Sequence, residues 1–499
     1  MATSSEPAPQ TAGALGSSPL VAETSLRSGA LGFPGVLMQA VTGVAPAAGL
    51  LLTVQFTAGL AGVASPLAYL CAALILLMLS VSVSELAKYL PSAGGYYTYV
   101  SRTVHPRAGF MTGWLYFLYT PVIPAANNAF MGFVLQSVLK EEYDITLKWW
   151  WYALVATAVT FVFAYRGIAP SIWALVVLGI IEISVVGILS IWGLFSPGDG
   201  GVNLSSFNPG NSPSWNGFYL AIVFSLFIMT GWEGAAAVAE ESQNPRRFVP
   251  RALVLSVIIV GVFDVICFWL LLVGWGTDNL SSFVNNPELP MFTLARQFWG
   301  GAWILVLIAL QTSIFGGSLA ATNVTTRMFF GMGRSGSLPR QLAVVHPKFK
   351  TPVNAVYLQT LITLAIVLGL GFWIGPDQVF FLAGLVVTLA LIVVYSAGNI
   401  GVFRFYRSEH RSEFRPTRHL VFPAIATAAL IWVGYKSLHP LPASPVKWAP
   451  LVAGCWFLLG LAVLLWFKWS GREAWLHNAG AAVNERPETP EEAAHRPAI

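Results

Sequence analysis

Charge, cysteine and well-placed histidine are all scarce in this chain of 499 residues. Only 10% of the residues are Asp, Glu, Lys or Arg, against roughly a quarter in an ordinary soluble domain. So few charges cannot cover the surface of a soluble protein of this length, and a soluble fold is excluded. The formal net charge of +5 is too small to point to nucleic acid as a partner. The three cysteines, Cys71, Cys267 and Cys455, lie singly in apolar runs, which argues against a disulfide framework and a cysteine metal site. The seven histidines, His105, His346, His410, His419, His439, His477 and His495, all fall in expected loops or tails. With no histidine inside an apolar run, neither a His-ligated metal nor any cofactor is expected, which counts against a membrane metalloenzyme.

What the chain has in excess is apolar surface. Hydrophobic residues make up 56% of it and the mean hydropathy is +0.67. Its 19 Trp suit many membrane–water interfaces. Residues 1–32 are rich in Ala, Ser, Pro and Gly, without the basic start and apolar stretch of a signal peptide. They are expected to form a disordered cytoplasmic tail, and so is the polar segment 471–499. Residues 33–470 are then the membrane domain.

A helix needs roughly 20 apolar residues to cross the hydrocarbon core. That rule predicts spans near 33–60, 65–87, 107–138, 149–165, 168–195, 216–239, 249–276, 301–330, 353–373, 378–403, 420–436 and 448–468. With both termini inside, the inner loops hold 17 Lys and Arg and the outer loops 5, the other five lying in the tails. This is the bias expected for cytoplasmic termini.

Two of these spans are interrupted. The first contains Thr42-Gly43-Val44-Ala45-Pro46-Ala47-Ala48-Gly49, where proline removes a helix donor and glycines weaken the backbone. The sixth contains Thr230-Gly231-Trp232-Glu233-Gly234, with an acid at mid-membrane. Either alone reads as an ordinary kink. Interruptions at matching positions, five spans apart, point to inverted repeats whose half-helix ends face a central site.

Three further stretches carry a family resemblance. Pro91-Ser92-Ala93-Gly94-Gly95-Tyr96-Tyr97-Thr98-Tyr99, followed by Gly113-Trp114, resembles a loop signature of the amino acid–polyamine–organocation permeases. Gly231-Trp232-Glu233-Gly234, with Glu240-Glu241-Ser242-Gln243-Asn244-Pro245 and Pro250, resembles the segment that begins in their sixth helix. Arg327 to Pro339 is similar to the sequence that follows their eighth. The resemblance covers residues 33–468 and implies two five-helix inverted repeats, two further helices, and uptake or exchange of amino acids or amines. It also implies coupling to protons or to a counter-substrate. One departure is evident. Many amino acid permeases hold the substrate carboxylate on a glycine-rich run in helix one. Here Gly43 and Gly49 remain but Pro46 stands between them and no Gly-Ile-Phe follows, which keeps amines and polyamines open as substrates.

Only Glu182, Glu233 and Asp264 are ionisable residues lying well inside spans. A charge at the bilayer centre costs ~2.5–3.5 kcal/mol even on insertion scales, so each needs a partner, a proton or a function. Glu233, matched to the family motif, is expected to face the substrate; the plainer alternative is a structural acid on freed backbone N–H groups. Glu182 lies near the position of a lysine in proton-coupled relatives, and the resemblance makes it the proton-coupling candidate; pairing to a neighbouring helix is equally open. Asp264 reads as a helix–helix hydrogen-bond partner. Gln311, Ser318, Thr322 and Thr325 fall on one face of the eighth span, and Thr112, Tyr116, Thr120 and Asn127 on the third. As stripes beside two interrupted helices they are expected to face the cavity.

The sequence therefore predicts an all-α integral membrane protein of about 12 transmembrane helices: inverted repeats of helices 1–5 and 6–10, helices 1 and 6 broken, plus two extra helices. The expected activity is secondary transport of an amino acid or related small amine across the cell membrane, with a polyamine permease or uncoupled exchanger as the alternative. A membrane enzyme would need a nucleophile or metal cluster, and none is seen. A channel would conduct without concentrating its solute. The expected substrate-binding residues are Thr42, Gly43, Ala45, Pro46, Ala47, Gly49, Asn127, Asn128, Thr230, Gly231, Trp232, Glu233, Gly234, Ser318 and Thr322. The expected partners are that solute, a proton or counter-substrate, and the lipid bilayer.

Overall fold

A computed structural model describes residues 25–439 and 441–480 of the chain. The tail expectations for residues 1–24 and 481–499 fall outside the described residues. Among those described, the secondary structure is helical and no strand is formed. The first half runs α1 (Phe33–Val44), α2 (Pro46–Ala61), α3 (Ser65–Tyr89), α4 (Tyr96–Thr103), α5 (Pro106–Tyr116), α6 (Val122–Tyr143), α7 (Trp149–Arg166) and α8 (Ile168–Phe195). The second runs α9 (Trp215–Ile228), α10 (Gly234–Ala237), α11 (Pro245–Trp275), α12 (Leu280–Val284), α13 (Pro290–Trp299), α14 (Ile304–Ser335), α15 (Val353–Ile374) and α16 (Pro376–Ser408). The last two helices are α17 (Phe422–Leu438) and α18 (Ala449–Trp469).

Punctuation in the sequence sets these boundaries. Proline opens α2, α5, α11, α13 and α16, where its missing N–H would have had no helical partner anyway. Glycines with positive φ follow α7, α11, α13, α14 and α15, the position that favours a residue without Cβ.

A helix or an interrupted pair of helices lies at each of the twelve expected segments. Nine stretches among the described residues are long and apolar enough to cross a membrane, and the first, Phe33–Tyr89, takes in two of those segments. Apolar side chains of α18, such as Leu458, Trp466 and Trp469, are exposed, a surface that suits lipid rather than water.

One expectation needs correction. The third segment was expected as one span near 107–138, yet it breaks between α5 and α6. Phe117, Leu118 and Tyr119 bond to carbonyls three residues back instead of four. Pro121 then supplies no donor, and Pro124 would crowd the carbonyl four residues before it. Packed chain continues beyond residue 470. Glu473 makes two hydrogen bonds to Arg107 at 2.9 and 2.8 Å, and Trp475 is buried against Phe110 and Phe467. At the other end Leu31 exchanges backbone hydrogen bonds with Glu241 and Gln243.

Candidate functional site

The two interruptions meet at mid-molecule. α1 ends at Val44; Ala45 follows with a left-handed φ of 56° and ψ of 60°, and Pro46 restarts the chain as α2. α9 ends at Ile228, and residues 229–233 leave helical geometry before the short α10. Gly43 and Gly231 pack backbone to backbone there. A Cβ on Gly43 would stand 2.9 Å from the Gly231 carbonyl oxygen, and one on Gly231 would overlap the Gly43 carbonyl. Gly231 also has a φ of 113°, which side chains rarely adopt.

Each interruption turns a backbone N–H towards a carboxylate. Ala47 donates to Glu182 Oε2 at 3.3 Å, and Ala48 to Ser313 Oγ at 3.0 Å. Gly231 donates to Glu233 Oε2 at 3.2 Å, while Glu233 Oε1 accepts from the Tyr116 hydroxyl at 3.3 Å. Glu182 and Glu233 are both buried, at 0% and 2% exposure. Glu182 Oε1 has no hydrogen-bond partner among the described residues. Aromatic rings surround Glu233. Tyr116 lies 5.2 Å from Tyr119 and 6.2 Å from Tyr96, and Tyr395 lies 5.5 Å from Tyr96 and 5.9 Å from Trp232.

A cavity opens against both interruptions, part of it open to solvent. Of the residues read from the sequence as substrate-binding, Gly43, Ala45, Gly49, Asn127, Thr230, Gly231, Glu233 and Gly234 line it. Glu233 is the one carboxylate among the lining residues, and none of them is Lys, Arg or His. A carboxylate among tyrosine faces can hold an organic cation by charge and by cation–π attraction.

The remaining predicted residues stand behind this wall. Thr42 donates to Leu175 O, Pro46 and Ala47 form the buried start of α2, and Trp232 is buried beside Tyr395. Asn128 bonds Thr157 and accepts from Ser318 at 2.9 Å. Thr322 donates to Ser318 O. The face of α14 that reaches the cavity carries Ile314, Ala320, Ala321 and Val324 instead. Asp264 is buried, with Oδ1 unpartnered among the described residues. Sequence reasoning missed Gln39, Tyr119, Phe227 and Phe380, which also line the cavity. Tyr119 reaches it because of the break before Pro121, the one local signal that could have revealed it.

The three family-like stretches converge below the second interruption. Arg327, fully buried, makes a two-pronged ion pair with Glu241 at 2.9 and 3.1 Å. Glu240 binds Arg334 and accepts from the Ala93 amide at 3.0 Å. Tyr97 and Ser335 hydroxyls lie 2.8 Å apart.

A family model described as amino acid permease matches residues 35–477. The chain is 26% identical over 393 residues to a low-affinity putrescine importer of Escherichia coli K12, covering 74% of this chain and 81% of that one. It is 25% identical over 438 residues to a branched-chain amino acid permease of Lactococcus lactis, covering 82% and 88%. With a lysine-specific permease of Escherichia coli it shares 26% over 310 residues, covering 59% and 62%.

Proposed function

Because the chain belongs to the amino acid permease family, we propose that it carries a small amine or amino acid across the cytoplasmic membrane by alternating access around the cavity at the two interruptions. It is a multi-pass membrane transporter, not an enzyme. In this reading twelve spans form two inverted five-helix repeats, α1–α8 and α9–α16, followed by α17 and α18, with both termini cytoplasmic. The pairing of the interruptions at Ala45 and at residues 229–233 supports the repeats. The likeness to a putrescine importer and to amino acid permeases supports the solute class.

The observation that carries the reading is Glu233, a buried carboxylate at a cavity wall with no basic side chain. It is the natural partner of a substrate ammonium group. In proteoliposomes loaded by an imposed gradient, the protein should accumulate radiolabelled 1,4-diaminobutane or lysine with saturation, as a channel would not. Glu233→Gln keeps shape and hydrogen bonding but removes charge. It should fold and lose nearly all uptake. Near wild-type uptake by that variant would make Glu233 a structural acid and remove the basis of the proposed site.

Driving force is assigned in the same reading to proton movement at Glu182, which is fully buried, holds one backbone N–H and faces no counter-charge in its hydrogen bonding. Exchange against a second solute is the alternative.

A further inference from the structure

The start of α2 has no backbone donor left for a ligand. A helix leaves its first four N–H groups without helical partners, and such groups readily hold an anion. Here each is accounted for. Ala45 N–H turns back to Thr42 O at 3.1 Å, Pro46 has none, Ala47 donates to Glu182 and Ala48 to Ser313. At the second interruption Thr230 N–H goes to Phe227 O, Gly231 N–H to Glu233, and Gly234 N–H to Gly231 O. Since no Lys, Arg or His among the described residues lines the cavity, a ligand carboxylate entering it finds no cation there, and the α2 amides are taken.

Glu182 is delivered to this position by the packing of α8. One turn earlier, a Cβ on Gly179 would overlap the Met38 side chain and stand 3.0 Å from Thr42 Oγ1. Glycine there lets α8 approach α1 closely, and Thr42 donates to Leu175 O across the same contact. An acid is a costly choice for a fully buried site whose second oxygen has no partner among the described residues. An apolar residue would avoid that cost only by leaving the buried Ala47 amide without an acceptor.

We propose that Glu182 is a built-in occupant of the anion position at the start of α2, and that with Ser313 it makes the carrier discriminate against solutes bearing a carboxylate beside their amine. This rests on the cavity being the substrate site. Glu182 does not line the cavity; it acts through the α2 amides, as a positioning residue that sets specificity. The role differs from proton coupling because it needs only a hydrogen-bond acceptor, whereas coupling needs a group that titrates.

Equilibrium binding to the purified full chain, by isothermal calorimetry, separates the possibilities with two pairs of probes that differ by one carboxylate: 1,4-diaminobutane with ornithine, and isobutylamine with valine. The wild type should bind the amine of at least one pair at least tenfold more tightly than its acid. Glu182→Gln retains an acceptor for Ala47 and should keep that ratio, even where it abolishes coupling. Glu182→Ala uncovers the amide and should narrow the ratio by roughly tenfold, the scale of one hydrogen bond to a charged group. Ser313→Ala uncovers Ala48, which lines the cavity, and should act in the same direction if Glu182→Ala does not fold. A wild type that binds the acids as tightly as the amines, or binds none of the four, overturns the proposal. So does an unchanged ratio in the alanine variants that fold. Amine binding that ignores Glu233→Gln would instead remove the cavity as the site, a separate failure.

Discussion

At the first interruption a single residue, Ala45, leaves helical geometry, and the amides released are met by Glu182 and Ser313, 135 and 265 positions away. At the second, residues 229–233 leave it, and the Gly231 amide is met by Glu233, two positions on. The first break is thus satisfied by other helices and stays satisfied only while α8 and α14 remain in contact with α2. The second carries its own acceptor, so its local geometry can travel with the segment. Two interruptions at one cavity therefore differ in what their movement would break. Displacing α2 costs hydrogen bonds across helices; displacing residues 229–234 costs contacts at their far end, where Arg327 holds Glu241.

That far end offers the largest expected effect. Arg327 and Glu241 are both buried and paired by two hydrogen bonds, and removing one partner of such a pair typically costs about 3–5 kcal/mol. Arg327→Ala should lower the thermal midpoint in detergent far more than Arg334→Ala, whose pair with Glu240 is partly exposed and worth roughly 0–1 kcal/mol. Equal, small losses from the two variants would mean that Glu241 does not anchor the second interruption.

The next effect is expected at the crossing of the two breaks. Gly231→Ala places a methyl group on a backbone of positive φ and drives it into the Gly43 carbonyl. A strained backbone alone costs on the order of 1–3 kcal/mol, and the overlap adds to it, so binding and uptake should be lost. Gly43→Ala meets Gly231 O at 2.9 Å without a positive φ of its own and should be the milder change. Gly43→Ala proving the more damaging would reverse the assignment of strain to the second break.

Coupling tests the first break in function. Wild-type uptake should respond to an imposed pH gradient, and Glu182→Gln should not, while exchange of internal for external substrate persists. A variant still driven by the gradient would move the coupling proton to another group. A wild type driven by sodium instead would replace the proton with a cation.

Much of this was legible because the causes are local. Pro46, Gly43, Gly231 and Gly234 act on their own backbone, and both interruptions coincide with them. The break at residues 117–121 was not anticipated, since Pro121 and Pro124 stand in an apolar run that reads as one span. Polarity misled on α14. Thr322 and Thr325 each donate to a carbonyl four residues back and Ser318 donates to Asn128, so their hydroxyls are satisfied within the protein and need not face a cavity. Phe380 reaches the site by tertiary packing alone, which no periodicity in one chain discloses.

The smallest effect is expected at Ala45, where the two breaks make opposite use of the left-handed region. The second break puts glycine at its positive φ; the first puts alanine there. Left-handed geometry costs an alanine roughly 1–2 kcal/mol. Glycine removes that strain but loses more entropy on folding, roughly 0.5–1 kcal/mol relative to alanine. The difference leaves Ala45→Gly stabilising by up to about 1.5 kcal/mol, with a small rise in thermal midpoint and substrate binding retained. One contact opposes the gain. The Ala45 methyl faces Gly317, whose own Cβ would stand 3.2 Å from it, so this methyl occupies the space between α14 and the break. A fall of several degrees in Ala45→Gly would show that this packing outweighs backbone strain, and that the first break, like its amides, is held in place by neighbouring helices.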